Sequence, residues 1–507
     1  MKLLRNRCLS FLASGLFGGV LFFSASLEAA GNDPGSDISW LNRISWGANA
    51  HEYQQLKVQG REAYLASQLN PQSWKPQGQV AKVLNGISLP AASCEDYIAS
   101  KIRAGVVANK TSDLQARIVA TREFNNTLYN QYQDGAFRSY LMAVYSPNQL
   151  QEMMTWFWFN HFNVYQGSSS LRASVACYEN DAIRANSLGN FRTLLEATLR
   201  HPAMLWYLNN DKNAVGRINE NYARELIELH TLGVDGGYTQ QDVQELARIL
   251  TGVGVSVQPV VPGRKTAVGY IRDGLFEFNP GRHDFSDKKF LGHTIKGRGY
   301  DEVSEVLDML VSHPSTAKFL SRKLAVYFVS DTPSDKLVMD MAAVFQKSRG
   351  DIPQVLKFLF ATEEFNQSLG KKFRSPYQYW VSVARLFPPE MPISQRRQAL
   401  KPLESMGQMI YGMSTPDGYS LMSAAWQGSG QLSARFDAAK LLGQQAGKLL
   451  TVHSKDASKQ AIKLNNDYFQ QVLKPTLSQN TQQVLDKANN DRLWNTLLLS
   501  SPEMMYR

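Results

Sequence analysis

The chain of 507 residues carries 54 Lys and Arg against 44 Asp and Glu, a formal net charge of +10, with three cysteines and eight histidines. Its basic residues are scattered with no Lys/Arg block, which excludes a dedicated nucleic-acid site and leaves a solvated surface or attraction to anionic envelope polymers or lipid headgroups. The length exceeds one compact core, so two or three packed subregions are expected.

Residues 1–30 have the three parts of a secretory signal: Lys2, Arg5 and Arg7, an apolar run from Leu9 to Phe23, then Ser24, Ala25, Ser26, Ala29 and Ala30. An uncleaved anchor is the other reading, since the apolar run could just span a bilayer; the Gly, Ser and Ala content favours cleavage. Loss of three bases and one acid, Glu28, lowers the net charge from +10 to +8. No later stretch is long and apolar enough to cross a membrane, so the expected product is an exported protein, periplasmic or extracellular, without an integral span. Cys8 leaves with the signal, and Cys94 and Cys177 remain as a disulfide or as two buried thiols. Closing that loop would restrict the unfolded chain by roughly 4 kcal/mol.

The coarse division is an N-terminal helical segment at 31–110, a core helical domain at 111–390, and a loop-rich stretch with C-terminal helices at 391–507. Residues 31–37 read as a flexible leader, after which helix signals run almost throughout. Ser112 with Gln115 forms a capping box for a helix to about Gln131; Ser146, Pro147 and Gln149 open one to about Phe162; Asn190 caps one ending before His201-Pro202. Amphipathic stretches cover 301–311, 316–328, 335–347, 352–361, 374–386, 432–450 and 457–472. The class is mainly α, a multi-helix globular domain with a small irregular or β-hairpin insert near 253–296, where Leu275 to Phe278 and Lys289 to Leu291 are β-like. A second loop-rich stretch spans 407–430.

The densest polar motif lies at 219–252. It divides into a helix that stops at Gly233, a turn at Asp235-Gly236-Gly237, and a second helix with Thr239 and Asp242 as its capping box. At 100° per residue, Tyr222, Leu226 and Leu229 form one stripe, with Ala223, Ile227 and His230 beside it, so His230 faces the core. Glu225 and Glu228 lie some 140° to 160° from His230 and cannot share a metal with it on one helix face. What remains is a carboxylate pair, Glu225 and Glu228, with Arg224 placed to bridge Glu228. The trio is either an ion pair or an acid–base or cation site, and His230 is either a satisfied core histidine or a ligand.

Six of the eight histidines fall between positions 161 and 313. His161 lies in the apolar stripe of its helix, while His283 and Asp284 lie in the irregular insert. His161, His230, His283 and Asp284 are therefore the candidate metal donors, for a divalent metal if the site holds one, and Glu225, Glu228 and Arg224 the candidate catalytic groups. No serine-hydrolase elbow, phosphate-binding loop, dinucleotide fingerprint or EF-hand loop is present.

The run Asn219-Glu-Asn-Tyr-Ala-Arg-Glu-Leu-Ile-Glu-Leu-His-Thr-Leu-Gly-Val-Asp-Gly-Gly-Tyr-Thr resembles the signature of the bacterial family termed domain of unknown function 1800. Trp156-Phe-Trp-Phe-Asn-His-Phe, His283-Asp, Phe290-Leu-Gly, His313-Pro-Ser-Thr-Ala-Lys-Phe-Leu and Thr415-Pro-Asp-Gly-Tyr follow in the family's order. The resemblance implies an exported helical protein, often encoded beside an exported sulfatase-like family, and it carries over no catalytic residue. Two functions follow as expectations. One is a cell-envelope enzyme, metal-assisted if the donors converge, acting on a polysaccharide or similar polymer. The other is a non-catalytic binding or assembly protein working with an exported sulfatase-like partner.

Overall fold

The computed structural model describes residues 34–87, 93–259, 267–450 and 462–507. The expected signal at 1–30 lies outside them. Helices dominate: from Pro34–Ile44 and Ala50–Leu69 at one end to Gln479–Asp486 and Asp491–Leu499 at the other, α-helices follow one another with short connections. None among the described residues is long and apolar enough to cross a membrane.

Local signals explain most helix starts. Asn190 accepts from the backbone of Arg192 at the head of Phe191–Arg200, and Thr239 with Asp242 forms the full capping box of Gln240–Ile249. Each satisfies amide donors that the first helical turn leaves open. The helices Tyr300–Ser312, Pro314–Phe328, Asp335–Lys347, Ile352–Ala361 and Pro376–Ala384 fall where amphipathic spacing places them.

Four expectations are corrected. Residues 34–37 are helical rather than a leader. The helix expected to end near Gln131 runs from Leu114 to Tyr145, capped by Asp113 rather than Ser112. Gly135 does not break it: a Cβ there would lie 2.5 Å from that of Ala176, so glycine lets helix Ser169–Cys177 approach. The next helix begins at Gln149, not at Pro147, because the Gln149 side chain binds the Ala143 and Ser146 carbonyls and closes the preceding turn. At 457–472, the part through 461 lies outside the described residues, and the wound portion is a π turn at Phe469–Leu473.

The insert is β-structured. Strands β1 (Val253–Val255), β2 (Ile271–Asp273) and β3 (Phe276–Phe278) form an antiparallel sheet in the order β1-β3-β2. Strands β4 (Lys288–Phe290) and β5 (His293–Ile295) make a hairpin in which Lys288 pairs with Ile295. Its two turn residues, Leu291 at φ 47° and Gly292 at φ 79°, are both left-handed, the geometry that matches strand twist in a two-residue hairpin.

One hydrophobic core runs from Ile38 to Leu499 and draws on all three segments of the chain. A small second cluster forms around Ile98, Ala99, Cys177 and Leu275. It sits at the Cys94–Cys177 disulfide, which joins the start of helix Cys94–Lys110 to the end of helix Ser169–Cys177. Buried Arg43 binds the Phe328 and Val329 carbonyls, the Ser368 hydroxyl and carbonyl, and the Arg507 carbonyl, tying three other parts of the chain to one guanidinium.

Candidate active site

The 219–252 motif contributes a surface ladder and a buried histidine. Helix Asn221–Glu228 widens at its end, where the His230 amide bonds the Glu225 carbonyl and the Leu232 amide that of Ile227, both one residue beyond α spacing. His230 is nonetheless fully buried. Arg224 bridges Glu220 at 3.1 Å and Glu228 at 3.4 Å along the helix and also binds Gln240, all at partly exposed positions. Glu225 stays out of this ladder. Burial and the Glu228 charge push its carboxyl above the usual range, against Arg224; its field and that of Asp417 reach the Tyr207 hydroxyl, which burial first raises.

His161 and His230 do meet, with ring centroids 6.1 Å apart. His161 Nε2–H donates to the His230 carbonyl at 3.1 Å, so its Nδ1 lone pair accepts from Lys323 Nζ at 3.0 Å. Burial, then Lys323 and His230, hold His161 well below the ordinary imidazole range. Burial and Lys323 likewise bring His230 down to about 3, and neither of its ring nitrogens has a hydrogen-bond partner. Burial lowers Lys323 to about 8, with Asp417 opposing.

His283 and Asp284 belong to another cluster. His283 Nδ1 faces the Thr251 carbonyl at 2.8 Å and Nε2 the Glu302 carboxylate at 3.0 Å. Lys288 reaches the other Glu302 oxygen at 2.5 Å, with both side chains fully enclosed. Asp284 pairs with Arg248 at 2.9 Å and caps Ser286. Every member has a partner, and the cluster locks the β4–β5 hairpin onto helix Tyr300–Ser312. The structure thus pairs His161 with His230 and His283 with Asp284 without bringing the four donors to one point. Among the described residues, the one group of three close His, Cys, Asp or Glu donors is Cys94, Cys177 and Asp181, whose sulfurs are already bonded to each other.

A different constellation has the properties of an active site. On helix Gln149–His161 the face opposite His161, about 180° away by helical geometry, carries Glu152, Thr155, Trp156, Phe159 and Asn160 around a cavity of about 30 Å³. Glu152 and Glu179 are both buried, and Arg184 lies between them, one guanidinium nitrogen on Glu152 and the other on Glu179 at 2.5 Å. Glu179 also accepts from Ser139 at 2.9 Å and from Tyr411 at 2.7 Å. Two features mark the place further. Glu179 sits on a π turn, Tyr178–Ile183, a form concentrated at functional sites. Tyr411 holds φ at +57°, a strained value for a side-chain-bearing residue.

The two carboxylates differ in their partners. Burial raises Glu152, and Arg184, its one hydrogen-bonding partner, only partly offsets this. Burial acts to lower Arg184, but Glu152 and Glu179 outweigh it, and the guanidinium stays charged. Among the described residues, Glu152 thus has one hydrogen-bond donor, Arg184, whereas Glu179 has three, Arg184, Ser139 and Tyr411. Arg138 faces the same charges: burial and Arg184 lower it, with Glu179 and Glu152 opposing. The place a metal ion would take between the carboxylates is filled by Arg184.

The loop over the cavity is fixed by side-chain amides. Asn160 exchanges two hydrogen bonds with Tyr419, at 2.8 and 2.7 Å, and Asn163 donates to the Met413 and Thr415 carbonyls at 2.9 and 2.8 Å. A Cβ on Gly418 would lie 2.1 Å from the Asn160 carbonyl oxygen, which is why glycine follows Asp417.

The fold and site define a mainly helical protein with two buried carboxylates, Glu152 and Glu179, bridged by Arg184. The chain belongs to the DUF1800 family, described as a protein of unknown function, whose profile matches residues 39–506. No curated protein and no solved structure matches it.

Proposed function

We propose that this protein is an exported enzyme of the cell envelope that hydrolyses a glycosidic bond in a polysaccharide by acid–base chemistry at Glu152 and Glu179. The observation that carries the reading is the pair of buried carboxylates, unequal in their donors, beside a cavity with room for about one or two waters. Glu152 gives its proton to the leaving glycosidic oxygen as that C–O bond breaks. Glu179 takes a proton from the water whose oxygen bonds to the anomeric carbon, and the two groups exchange protonation states. Arg184 steadies whichever carboxylate is charged. Polymer entry requires the 411–419 loop to move away from Asn160 and Asn163. Export is supported by the signal pattern at 1–30 and by the Cys94–Cys177 disulfide, a bond of oxidising compartments.

The test is release of reducing ends from a panel of neutral and anionic envelope polysaccharides. The mature protein should release them from at least one polymer, and Glu152→Gln and Glu179→Gln should each lower the rate about 10²- to 10⁴-fold, the usual weight of general acid–base catalysis. No release, or release by both variants at the native rate, would remove this reading.

A second reading, a non-catalytic assembly protein working with an exported sulfatase-like partner, is favoured by the mutual satisfaction of the Arg224, Glu220, Glu228 and Gln240 groups on the motif surface. It predicts that the carboxylate variants keep the partner bound.

A further inference from the structure

Helix Leu114–Tyr145 carries one outer face along most of its length. At 100° per residue, Leu114, Ile118, Arg122 and Tyr129 fall within 80° of one another, and Tyr132 and Ala136 continue the same sector. Helix Arg396–Ser405 packs on the second part of that face, where Tyr132 and Ala136 are buried. The first part is bare. Leu114, Ile118 and Tyr129 are 56%, 51% and 51% exposed, and residues 112–119 are exposed without a break. The preceding helix, Cys94–Lys110, adds exposed Val106 and Val107 at the same end of the hairpin. The two helices are closely packed all the same: a Cβ on Gly105 would lie 2.8 Å from the Phe124 ring, and the Thr121 hydroxyl donates to Asn109 at 3.4 Å. The apolar side chains therefore stand on a firm projection.

An exposed apolar patch of this kind marks an interaction surface, and the charges around it define the partner. Lys110, Arg117 and Arg122 lie among the apolar residues, and Arg397 shares with Tyr129 a cavity of about 350 Å³ at the foot of the bare face. All four cations are exposed, and none makes an ion pair among the described residues, whereas Arg396 and Lys401 beside them pair with Asp134 and Glu404. Of the nearby acids, Asp113 is used as a helix cap on the Ala116 amide at 2.7 Å, and Glu123 lies 100° or more from the stripe. A second copy of the chain would set the same four cations against each other across a two-fold contact. A hydrated polysaccharide offers the aliphatic side chains no apolar medium. A bilayer with anionic headgroups answers both needs: it gives phosphates to the cations, an acyl boundary to the aliphatic groups, and the headgroup level to a tyrosine ring.

We infer that the hairpin of helices Cys94–Lys110 and Leu114–Tyr145 docks this protein on an anionic phospholipid surface. Leu114 and Ile118 dip below the headgroups, and Arg117, Arg122 and Arg397 sit at their phosphates. The inference is independent of what the Glu152 centre does.

The experiment is flotation with vesicles of phosphatidylcholine alone and of equimolar phosphatidylcholine and phosphatidylglycerol. It is made on the mature protein, residues 31–507, so that the apolar run at 9–23 plays no part. The protein should float with the mixed vesicles and not with phosphatidylcholine, and binding should fall about tenfold as salt rises from about 0.05 to about 0.5 M. Leu114→Ser combined with Ile118→Ser leaves the net charge unchanged and should weaken binding about tenfold. Arg117→Gln combined with Arg122→Gln should weaken it at least as much. Both pairs should keep the native circular dichroism spectrum and melting temperature, since all four side chains are exposed. The serine pair separates docking from the general adsorption of a basic protein. No flotation with the mixed vesicles, equal flotation with both kinds, native affinity in the serine pair, or a dimer that the serine pair abolishes would overturn the inference.

Discussion

His161, His201 and His230 are each held neutral by a distinct local arrangement. His201 Nδ1 accepts from the Ala203 amide at 3.1 Å, and His313 does the same for Ser315 at 3.1 Å, so both His-Pro junctions are helix caps in which the imidazole replaces the usual Ser or Asp. Burial lowers His201 to about 3, as burial and Lys323 do for His230. The sign of the linkage follows. Above pH about 6.5 folded and unfolded chains both carry neutral histidine; below it only the unfolded chain takes up protons, so stability falls toward the folded value of about 3. At pH 5 the loss should be about 2 kcal/mol for each of these two groups. His201→Asn keeps an acceptor at the cap and removes the titration, so denaturant midpoints measured from pH 7 to 5 should fall less steeply than in the native protein. An identical slope would show that His201 does not titrate this way. At this scale the sequence was informative about burial: the inward positions of His161 and His230 follow from spacing, and both are buried. It was silent about the Glu152 centre because its other members, Arg184, Glu179, Ser139 and Tyr411, come from separate parts of the chain.

Among elements, the β4–β5 hairpin is held to helix Tyr300–Ser312 by an enclosed charge cluster. Glu302 accepts from His283, Lys288 and the Arg298 and Gly299 amides, and the enclosed Lys288 has no other carboxylate among the described residues. Glu302→Gln should therefore cost about 3–5 kcal/mol, the consequence of leaving a buried cation without its counter-ion. Chemical denaturation would check the size, and hydrogen exchange should show amides of 288–295 losing protection ahead of the helices. A cost below about 1 kcal/mol would place the cluster among solvated ion pairs. Element boundaries were legible where a capping signal stands alone, as at Asn190 and Thr239. They were not legible where tertiary contact decides. Gly135 sits inside Leu114–Tyr145 because Ala176 packs on it, and the end of Asn221–Glu228 widens, which a fixed 100° wheel cannot represent.

For the whole molecule, the mainly α class was readable from helical periodicity, whereas the unity of the core was not, since Arg43 and its partners are separated by up to 464 positions. Arg43 marks how the ends meet, and the Cys94–Cys177 bridge, spanning 83 positions, marks how the Cys94–Lys110 helix stays on the body. Replacing both cysteines by alanine should lower stability by about 4–5 kcal/mol in the chain-entropy account, read as a lower melting temperature that equals that of the reduced native protein. Equal melting with and without reductant would mean that the bridge adds nothing. The central claim concerns Glu152 and Glu179, and the most direct measurement of it is the pH profile of kcat/KM on a responsive polysaccharide. The account predicts a bell whose alkaline limb belongs to protonated Glu152, with Glu152→Gln losing both the rate and that limb while its circular dichroism spectrum is unchanged. A Glu152→Gln protein with the native rate and the native profile would contradict it.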